Sequence, residues 1–287
     1  MSLLKNKFKE KLSVVILCAG EGTRLKEITK NIPKPLIKIE LLNNTTILNH
    51  LINNLIFLGI KQIAIVIGYL GDRIRDFISS IIKNNRSLED KLIIINTENQ
   101  YKLGPLYSFL SITNNKILFN PANSYIMIPG DTIFHLSILK EVLLIISKNY
   151  QLIQDHPFVF YRNIRLKTLK KIHNRIKLIS TVEVEKIGSE IVLKKISQLR
   201  VCDILPMDVL NQSIPIFALS YDFINEILKL KEEILVKTVR EAINHMIING
   251  KKIFAFEIES KDYFYDIDNI DDLTNLNKKK EDNRRSD

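Results

Sequence analysis

Val14-Val15-Ile16-Leu17-Cys18-Ala19-Gly20-Glu21-Gly22-Thr23-Arg24-Leu25, followed by Pro33-Lys34-Pro35-Leu36, reads as a buried strand, a glycine-punctuated turn and a helix with a basic residue in its first turns. Glycine permits tight backbone geometry and close approach of a ligand. Amides at such a turn can hold an anion, and Arg24 with Lys34 adds two positive charges beside it. Pro33 and Pro35 bracket the lysine and lower the cost of holding its charge in place. The stretch therefore predicts a phosphate site. It is not a P-loop, which needs Lys-Ser/Thr directly after its glycines where this chain has Gly22-Thr23-Arg24. Nor does it match a dinucleotide fingerprint, which wants three spaced glycines and an acidic end to the second strand; here that strand runs into Gly68-Tyr69.

Outward from this loop the first half alternates. Ser13–Cys18, Gln62–Ile67, Lys91–Ile95 and Ser124–Ile128 read as strands; Thr46–Phe57, Gly71–Ile82, Pro105–Ile112 and Leu136–Ile146 read as helices. That order predicts an α/β fold with a parallel sheet covered on both faces. Ligands on such sheets gather beyond the carboxyl ends of the strands, where Cys18 to Arg24 and Asp131 both fall. The second half is less regular. Phe158–Tyr161, Lys177–Val184 and Ser189–Leu193 suggest a ribbon of strands leaving the main sheet. Helices follow at Tyr221–Leu228 and Val236–Ile248, then strands at Lys252–Glu257 and Tyr263–Ile267. No repeat or Pro- or Gly-rich linker divides the chain. The expected organisation is one catalytic unit over 1–276, with a nucleotide half at 12–150, an acceptor half at 151–276 and a basic tail at 277–287.

With 287 residues, 46% hydrophobic and 26% charged, the chain has the composition of a globular protein with a sizeable core. No apolar run is long enough to cross a bilayer, and cytoplasmic residence is the expectation. Two cysteines, Cys18 and Cys202, supply neither a disulfide framework nor a metal cluster. The formal charge is +10. Part of it is a stripe without acids (Arg162, Arg165, Lys167, Lys170, Lys171, Arg175, Lys177) that suits an anionic partner but lacks aromatic residues to stack bases. Nucleic acid is accordingly not the expected partner. His156 and His173 have no companion residues that would make a triad or ligand set.

Asp131 follows a buried strand and a glycine, and Asp266 and Asp268 alternate along an extended segment so that both can face one side. Magnesium prefers oxygen ligands and often keeps waters, so two carboxylates plus phosphate oxygens suffice to hold it.

The segment Leu17-Cys18-Ala19-Gly20-Glu21-Gly22-Thr23-Arg24-Leu25, with Thr29 and Pro33-Lys34-Pro35-Leu36, closely resembles the signature of nucleotidyltransferases that make nucleotide sugars and related activated compounds. Ile128-Pro129-Gly130-Asp131 resembles that family's internal aspartate motif, and Tyr263 to Leu273 resembles its second metal motif with the helix start that follows. Cys18 stands where the family usually has alanine or glycine. The resemblance implies a Rossmann-like, mixed but mostly parallel sheet flanked by helices, of the nucleotide-diphospho-sugar transferase type, with a small acceptor-binding lobe. It implies a glycine loop, Leu17 to Arg24, around a nucleoside triphosphate, with Arg24 on its phosphates and Lys34 on the reacting one. Asp131, with Asp266 or Asp268, would hold Mg2+. Self-association is also common in the family.

The implied reaction is in-line attack by an acceptor phosphate on the α-phosphorus of a nucleoside triphosphate, with release of pyrophosphate. Gly104-Pro105-Leu106 stands where sugar nucleotidyltransferases carry a turn near the base, and resembles the Gly-Pro-Leu of molybdopterin guanylyltransferases. Asn96, with Tyr107-Ser108, is instead similar to CTP enzymes that activate phosphocholine or inositol phosphate. A sugar 1-phosphate is the leading acceptor, with those phosphorylated alcohols as the alternative. A catalytically silent nucleotide-binding regulator is the alternative outside enzymes. Lys186, Lys194 and Lys195 are the candidates for the acceptor's phosphate.

Overall fold

The computed structural model describes residues 9–166, 168–169, 177–204 and 209–276. Its strands are β1 (Leu12–Cys18), β2 (Lys38–Ile39), β3 (Thr45–Thr46), β4 (Gln62–Ile67), β5 (Leu92–Asn96), β6 (Ser124–Pro129), β7 (Thr132–Phe134), β8 (Phe158–Arg165), β9 (Leu178–Ile187), β10 (Glu190–Arg200), β11 (Val209–Ser220), β12 (Phe254–Glu257) and β13 (Phe264–Asp266). Nine of them form one sheet in the order β5-β4-β1-β6-β11-β8-β12-β10-β9.

The amino-terminal part behaves as its periodicity dictates. β5, β4, β1 and β6 run parallel, and the order reverses between β1 and β6. Alternate residues feed two cores. Val14, Ile16, Ile63 and Ile65 pack on one face; Val15, Ala64 and Val66 pack on the other. Burying each such valine or isoleucine side chain is worth roughly 1.5–3 kcal/mol, which pins the register, since a slip of one residue would exchange the faces. The helices Ile47–Phe57, Gly71–Asn84 and Leu136–Lys148 cover the sheet through buried stripes such as Leu48, Leu51, Ile52 and Leu55. Thr46 is the N-cap of the first, its side chain accepting from the Asn49 amide.

The mostly parallel sheet expected from the alternating elements holds only in that first half. β11 enters antiparallel between β6 and β8, and β10 lies antiparallel to both β12 and β9. Within the nine-stranded sheet, parallel pairs are confined to β5–β4, β4–β1, β1–β6 and β8–β12. Nor do the later strands leave the sheet as a ribbon. β8 is an internal member, and β9 and β10 are the hairpin at its far end. A further pairing of β9 with β11, Thr181 opposite Gln212, closes β11, β8, β12, β10 and β9 into a ring.

The strand that reverses the sheet, β11, gave no periodic signal. Asn211, Gln212 and Ser213 interrupt its apolar pattern, and Pro215 falls where the register with β8 shifts between Ile214 and Phe217. The helix expected from Val236 begins at Val239, after a capping box of Thr238 and Glu241. The basic tail at 277–287, His173, and Lys167, Lys170, Lys171 and Arg175 of the basic stripe lie outside the described residues. Among the described residues no helix is long and apolar enough to cross a membrane.

Candidate functional site

The carboxyl end of β1 is crowded by glycine. A Cβ on Gly130 would meet Cys18 Sγ at 2.6 Å and the Leu17 carbonyl oxygen at 2.8 Å, so only glycine lets the turn after β6 lie against β1. The Gly130 amide donates to the Leu17 carbonyl at 2.9 Å. That contact fixes Asp131 beside the loop Ala19 to Arg24. Burial, reinforced by Asp131, pushes the Cys18 thiol well up, so this cysteine is a packing residue.

The loop itself is tighter than a regular helix start. Gly22 takes φ +62°, then Thr23–Leu25 forms one 3-10 turn and Lys26–Thr29 one short α-turn. The buried Thr29 hydroxyl donates to the carbonyls of Leu25 (3.0 Å) and Gly22 (3.1 Å), which locks the turn from within. Lys34 opens a second 3-10 turn after Pro33. That turn buries most of the side chain and delivers its ammonium 2.7 Å from Asp131 Oδ2 and 3.7 Å from Asp268 Oδ1.

Asp266 and Asp268 arrive from the other end of the chain. β13 pairs with β7, the strand directly after Asp131, so Asp266 stands opposite Thr132. The Ile267 amide donates to the Asp131 carbonyl at 3.3 Å. Asp268 is the most heavily paired of the three acids. It lies 3.2 Å from Arg24 Nη1 and 3.1 Å from Lys177 Nζ, besides the contact with Lys34. Lys177 also reaches Asp272 Oδ2 at 2.8 Å and the Asp266 carbonyl at 2.8 Å. Lys177 was visible in the sequence as the end of the basic stripe, but its 95-residue separation from Asp272 hid its place here.

Charge decides how the acids divide. Burial raises the Asp268 carboxyl, yet Lys177, Lys34 and Arg24 outweigh it and hold it below the usual carboxylate range. Lys177 and Lys34 cover Asp266 less fully. Although part of the residue faces a cavity, desolvation comes first, then repulsion from Asp131 and Asp268, and together they push it from 3.8 up to about 7. Burial lowers the Lys34 and Lys177 ammoniums, but the surrounding aspartates reverse the effect and keep both above their usual range.

Asp266 makes a testable contribution to stability. Its folded-state pKa lies above the unfolded value, so the protonated form is the one folding favours. The stability this group retains below pH 3.8 is lost as the pH climbs through about 7. Asparagine mimics the protonated acid and can still accept the 3.4 Å bond from Thr132 Oγ1. In chelator, Asp266→Asn should therefore gain in Tm over the wild type as pH rises from 4 to 8, by on the order of 5 °C at the top. A difference flat with pH in a thermal-melt series would refute this.

For a divalent cation, the donors on offer are Asp131 and Asp268, two hard carboxylates flanking the same ammonium. No group of three or more His, Cys, Asp or Glu residues suited to a metal occurs among the described residues. A carboxylate pair open to phosphate oxygens and waters is nevertheless a donor set that suits magnesium.

Beside the acids lies a cavity of about 330 Å³, walled by β9, β10, β11, the start of the helix Val239–Ile248, and Pro105. Arg24, Lys177, Asp266 and Asp268 form its charged end. Gly104 adjoins this wall. It has φ +132°, and its Cβ would strike the Lys237 carbonyl at 2.5 Å, while the Leu106 amide donates to that carbonyl at 3.0 Å. Lys186, Lys194 and Lys195 are not brought to the cavity. They sit exposed on the β9–β10 hairpin, Lys194 paired with Glu185 at 2.8 Å. Arg162, the first residue of the basic stripe, is buried and so not free to meet an anionic partner. It stacks against Phe264 and Tyr263 and is bonded to Gln212.

Residues 13–152 match the Nucleotidyl transferase family. Among curated relatives, a 2-aminoethylphosphonate cytidylyltransferase of Lancefieldella rimae is 38% identical over 73 residues, 25% of this chain and 28% of that protein. A probable glucose-1-phosphate cytidylyltransferase of Bacillus subtilis is 36% identical over 66 residues, 23% of this chain and 25% of that protein. The chain thus spans about a quarter of the length of these relatives. Solved structures match over nearly the whole fold. A UDP-glucose pyrophosphorylase complexed with UDP-glucose has a TM-score of 0.67 at 19% identity, covering 94% of this chain and 98% of that one. The inositol-1-phosphate CTP transferase from T. maritima gives 0.62 at 18%, covering 94% and 96%.

Proposed function

We propose that this chain, whose residues 13–152 match the nucleotidyl transferase family, transfers a nucleoside monophosphate from a nucleoside triphosphate to a small phosphorylated acceptor, a sugar 1-phosphate foremost. The observation that carries this reading is convergence. The glycine loop, Lys34, Asp131 and Asp268 come from four separated stretches of chain to the carboxyl end of β1, at the point where the strand order reverses, beside a cavity of suitable size.

In this reading the loop from Leu17 to Arg24 wraps the triphosphate and Arg24 turns its fork to phosphate oxygens. The Lys34 ammonium offsets charge that builds at the phosphorus under attack. The acceptor's phosphate is already largely ionised near neutral pH, so orientation takes the place of a general base. Arg24, Lys177 and Arg240 line the cavity and are cations able to meet that phosphate. Asp131 and Asp268 would hold magnesium, which when bound neutralises and aligns the phosphates. Gly104 and Pro105 belong to the turn that faces the nucleotide base, with the carbonyl of Lys237 as its support.

The test is a grid of the four nucleoside triphosphates against phosphorylated acceptors, read as magnesium-dependent release of pyrophosphate. Turnover with one triphosphate and a sugar 1-phosphate is expected. Nucleotide binding without pyrophosphate release from any acceptor would replace this reading with a regulatory one.

A further inference from the structure

Arg162 and Gln212 are direct cross-strand partners on β8 and β11, so their side chains leave the sheet on one face. Both are buried, at 5% and 3% exposure. Arg162 Nε and Nη2 donate to Gln212 Oε1 at 3.0 and 2.9 Å, and Nη1 donates to the Asp262 carbonyl at 2.9 Å. The guanidinium is held further by the rings of Phe264 and Tyr263, 4.8 and 5.5 Å away. An arginine has only donors, so this contact fixes which way the amide is turned. Its oxygen is fully engaged. Its NH2 group has no hydrogen-bond partner among the described residues, and Gln212 lines the cavity.

We infer that Gln212, oriented by Arg162, is a specificity-determining donor that reads an oxygen on the body of the acceptor and so favours hydroxyl-bearing acceptors over ammonium-bearing ones. This rests on the nucleotidyl-transfer reading above. The rest of the cavity's charge argues the same way. Its carboxylates among the described residues are Asp266 and Asp268, at the end where Lys34, Lys177 and Arg24 gather, and Arg240 adds a further cation to its wall. An ammonium group would meet the like charge of Arg24, Lys177 and Arg240, and of the two carboxylates Asp268 is already ion-paired. A hydroxylated body would meet the fixed amide, Ser180, Ser213 and Gln198. Sites built to hydrogen-bond a substrate oxygen discriminate strongly, because a ligand lacking it leaves the buried donor unpaired.

Gln212→Glu separates this role from a structural one. Glutamate keeps an oxygen for Arg162, so the buried arginine stays partnered, while the donor facing the cavity becomes an acidic acceptor. The wild type and the variant would be compared on glucose 1-phosphate, inositol 1-phosphate, phosphocholine and 2-aminoethylphosphonate. Thermal melts would serve as the fold control, and the KM of the triphosphate would be followed separately. The wild type should favour the hydroxylated pair. The variant should keep its Tm and its triphosphate KM, and lose at least about tenfold in the kcat/KM ratio of hydroxylated to ammonium-bearing acceptors. A ratio that stays within about twofold, or a wild type that prefers phosphocholine or 2-aminoethylphosphonate, overturns the assignment of Gln212 but leaves nucleotidyl transfer standing. A wild type that releases pyrophosphate with none of the acceptors overturns both.

Discussion

Replacing Lys34 with methionine should lower kcat by about 10²–10³ while leaving the KM of the triphosphate within a few fold. The ammonium sits 2.7 Å from Asp131 and 3.7 Å from Asp268, with its side chain only 9% exposed, so water cannot replace it cheaply. A charge preorganised in such a place acts on the phosphorus as negative charge builds there, which is a transition-state effect and falls on kcat. In the proposed reading Arg24 meets the ground-state phosphates separately, with a side chain that is 67% exposed, so binding of the triphosphate should outlast the substitution. Methionine preserves the apolar stem. The variant also leaves Asp131 without its cation, a loss softened because Asp131 is 31% exposed. Arginine at this position should not restore the rate, because the 3-10 turn Lys34–Leu36 presents a single ammonium between two carboxylates and a planar fork does not fit that geometry. Steady-state pyrophosphate release is the measurement. A Lys34→Met protein within threefold of the wild type would remove Lys34 from the chemistry.

What the sequence made legible was local. The β1 strand, the two glycines, the prolines around Lys34 and the Gly130-Asp131 turn each announce themselves within a dozen residues, because strand ends and tight turns restrict residue type at fixed offsets. The structure gathers Arg24, Lys34, Asp131, Asp266 and Asp268, which the residue patterns and the family resemblance had nominated from four segments. What stayed hidden depends on partners far apart in the chain. Arg162 and Gln212 are 50 residues apart, and neither position is unusual until β8 and β11 are laid side by side. β11 itself broke its own pattern with polar residues and Pro215, since part of it faces a cavity and not a core. The acceptor lysines were misplaced for a related reason. Lys186, Lys194 and Lys195 fall by the strands of the second half, where a site lysine would be sought, but the hairpin turns them to solvent, while Lys177, directly before β9, reaches the cavity.

Asp131→Asn tests the other pole of the site, and its effect should match that of Lys34→Met in size and differ in kind. Asparagine is isosteric and still accepts a hydrogen bond from Lys34, so the 2.7 Å contact can persist without the negative charge. A carboxylate that served only to hold Lys34 in place would then be replaced at modest cost. A carboxylate that also holds magnesium would not, because the amide oxygen is a far weaker ligand for a hard cation. The expected result is a fall in kcat of about 10²–10³, with half-maximal activity moved to higher magnesium. A second readout does not depend on turnover. Magnesium with a triphosphate should raise the Tm of the wild type by linkage, and that rise should shrink in Asp131→Asn. Asp268→Asn should shrink it as well, since Lys177, Lys34 and Arg24 hold the Asp268 carboxyl below the usual range against the burial that opposes them. Asp266 is pushed up to about 7, so a proton competes there with a cation, which makes it a weaker candidate ligand than Asp268. The expected order of lost metal-induced stabilisation therefore places Asp268, which Lys177, Lys34 and Arg24 keep charged, ahead of Asp266. An Asp266→Asn protein that alone lost the magnesium-dependent rise in Tm would reverse that order and move the ligand role to the buried acid.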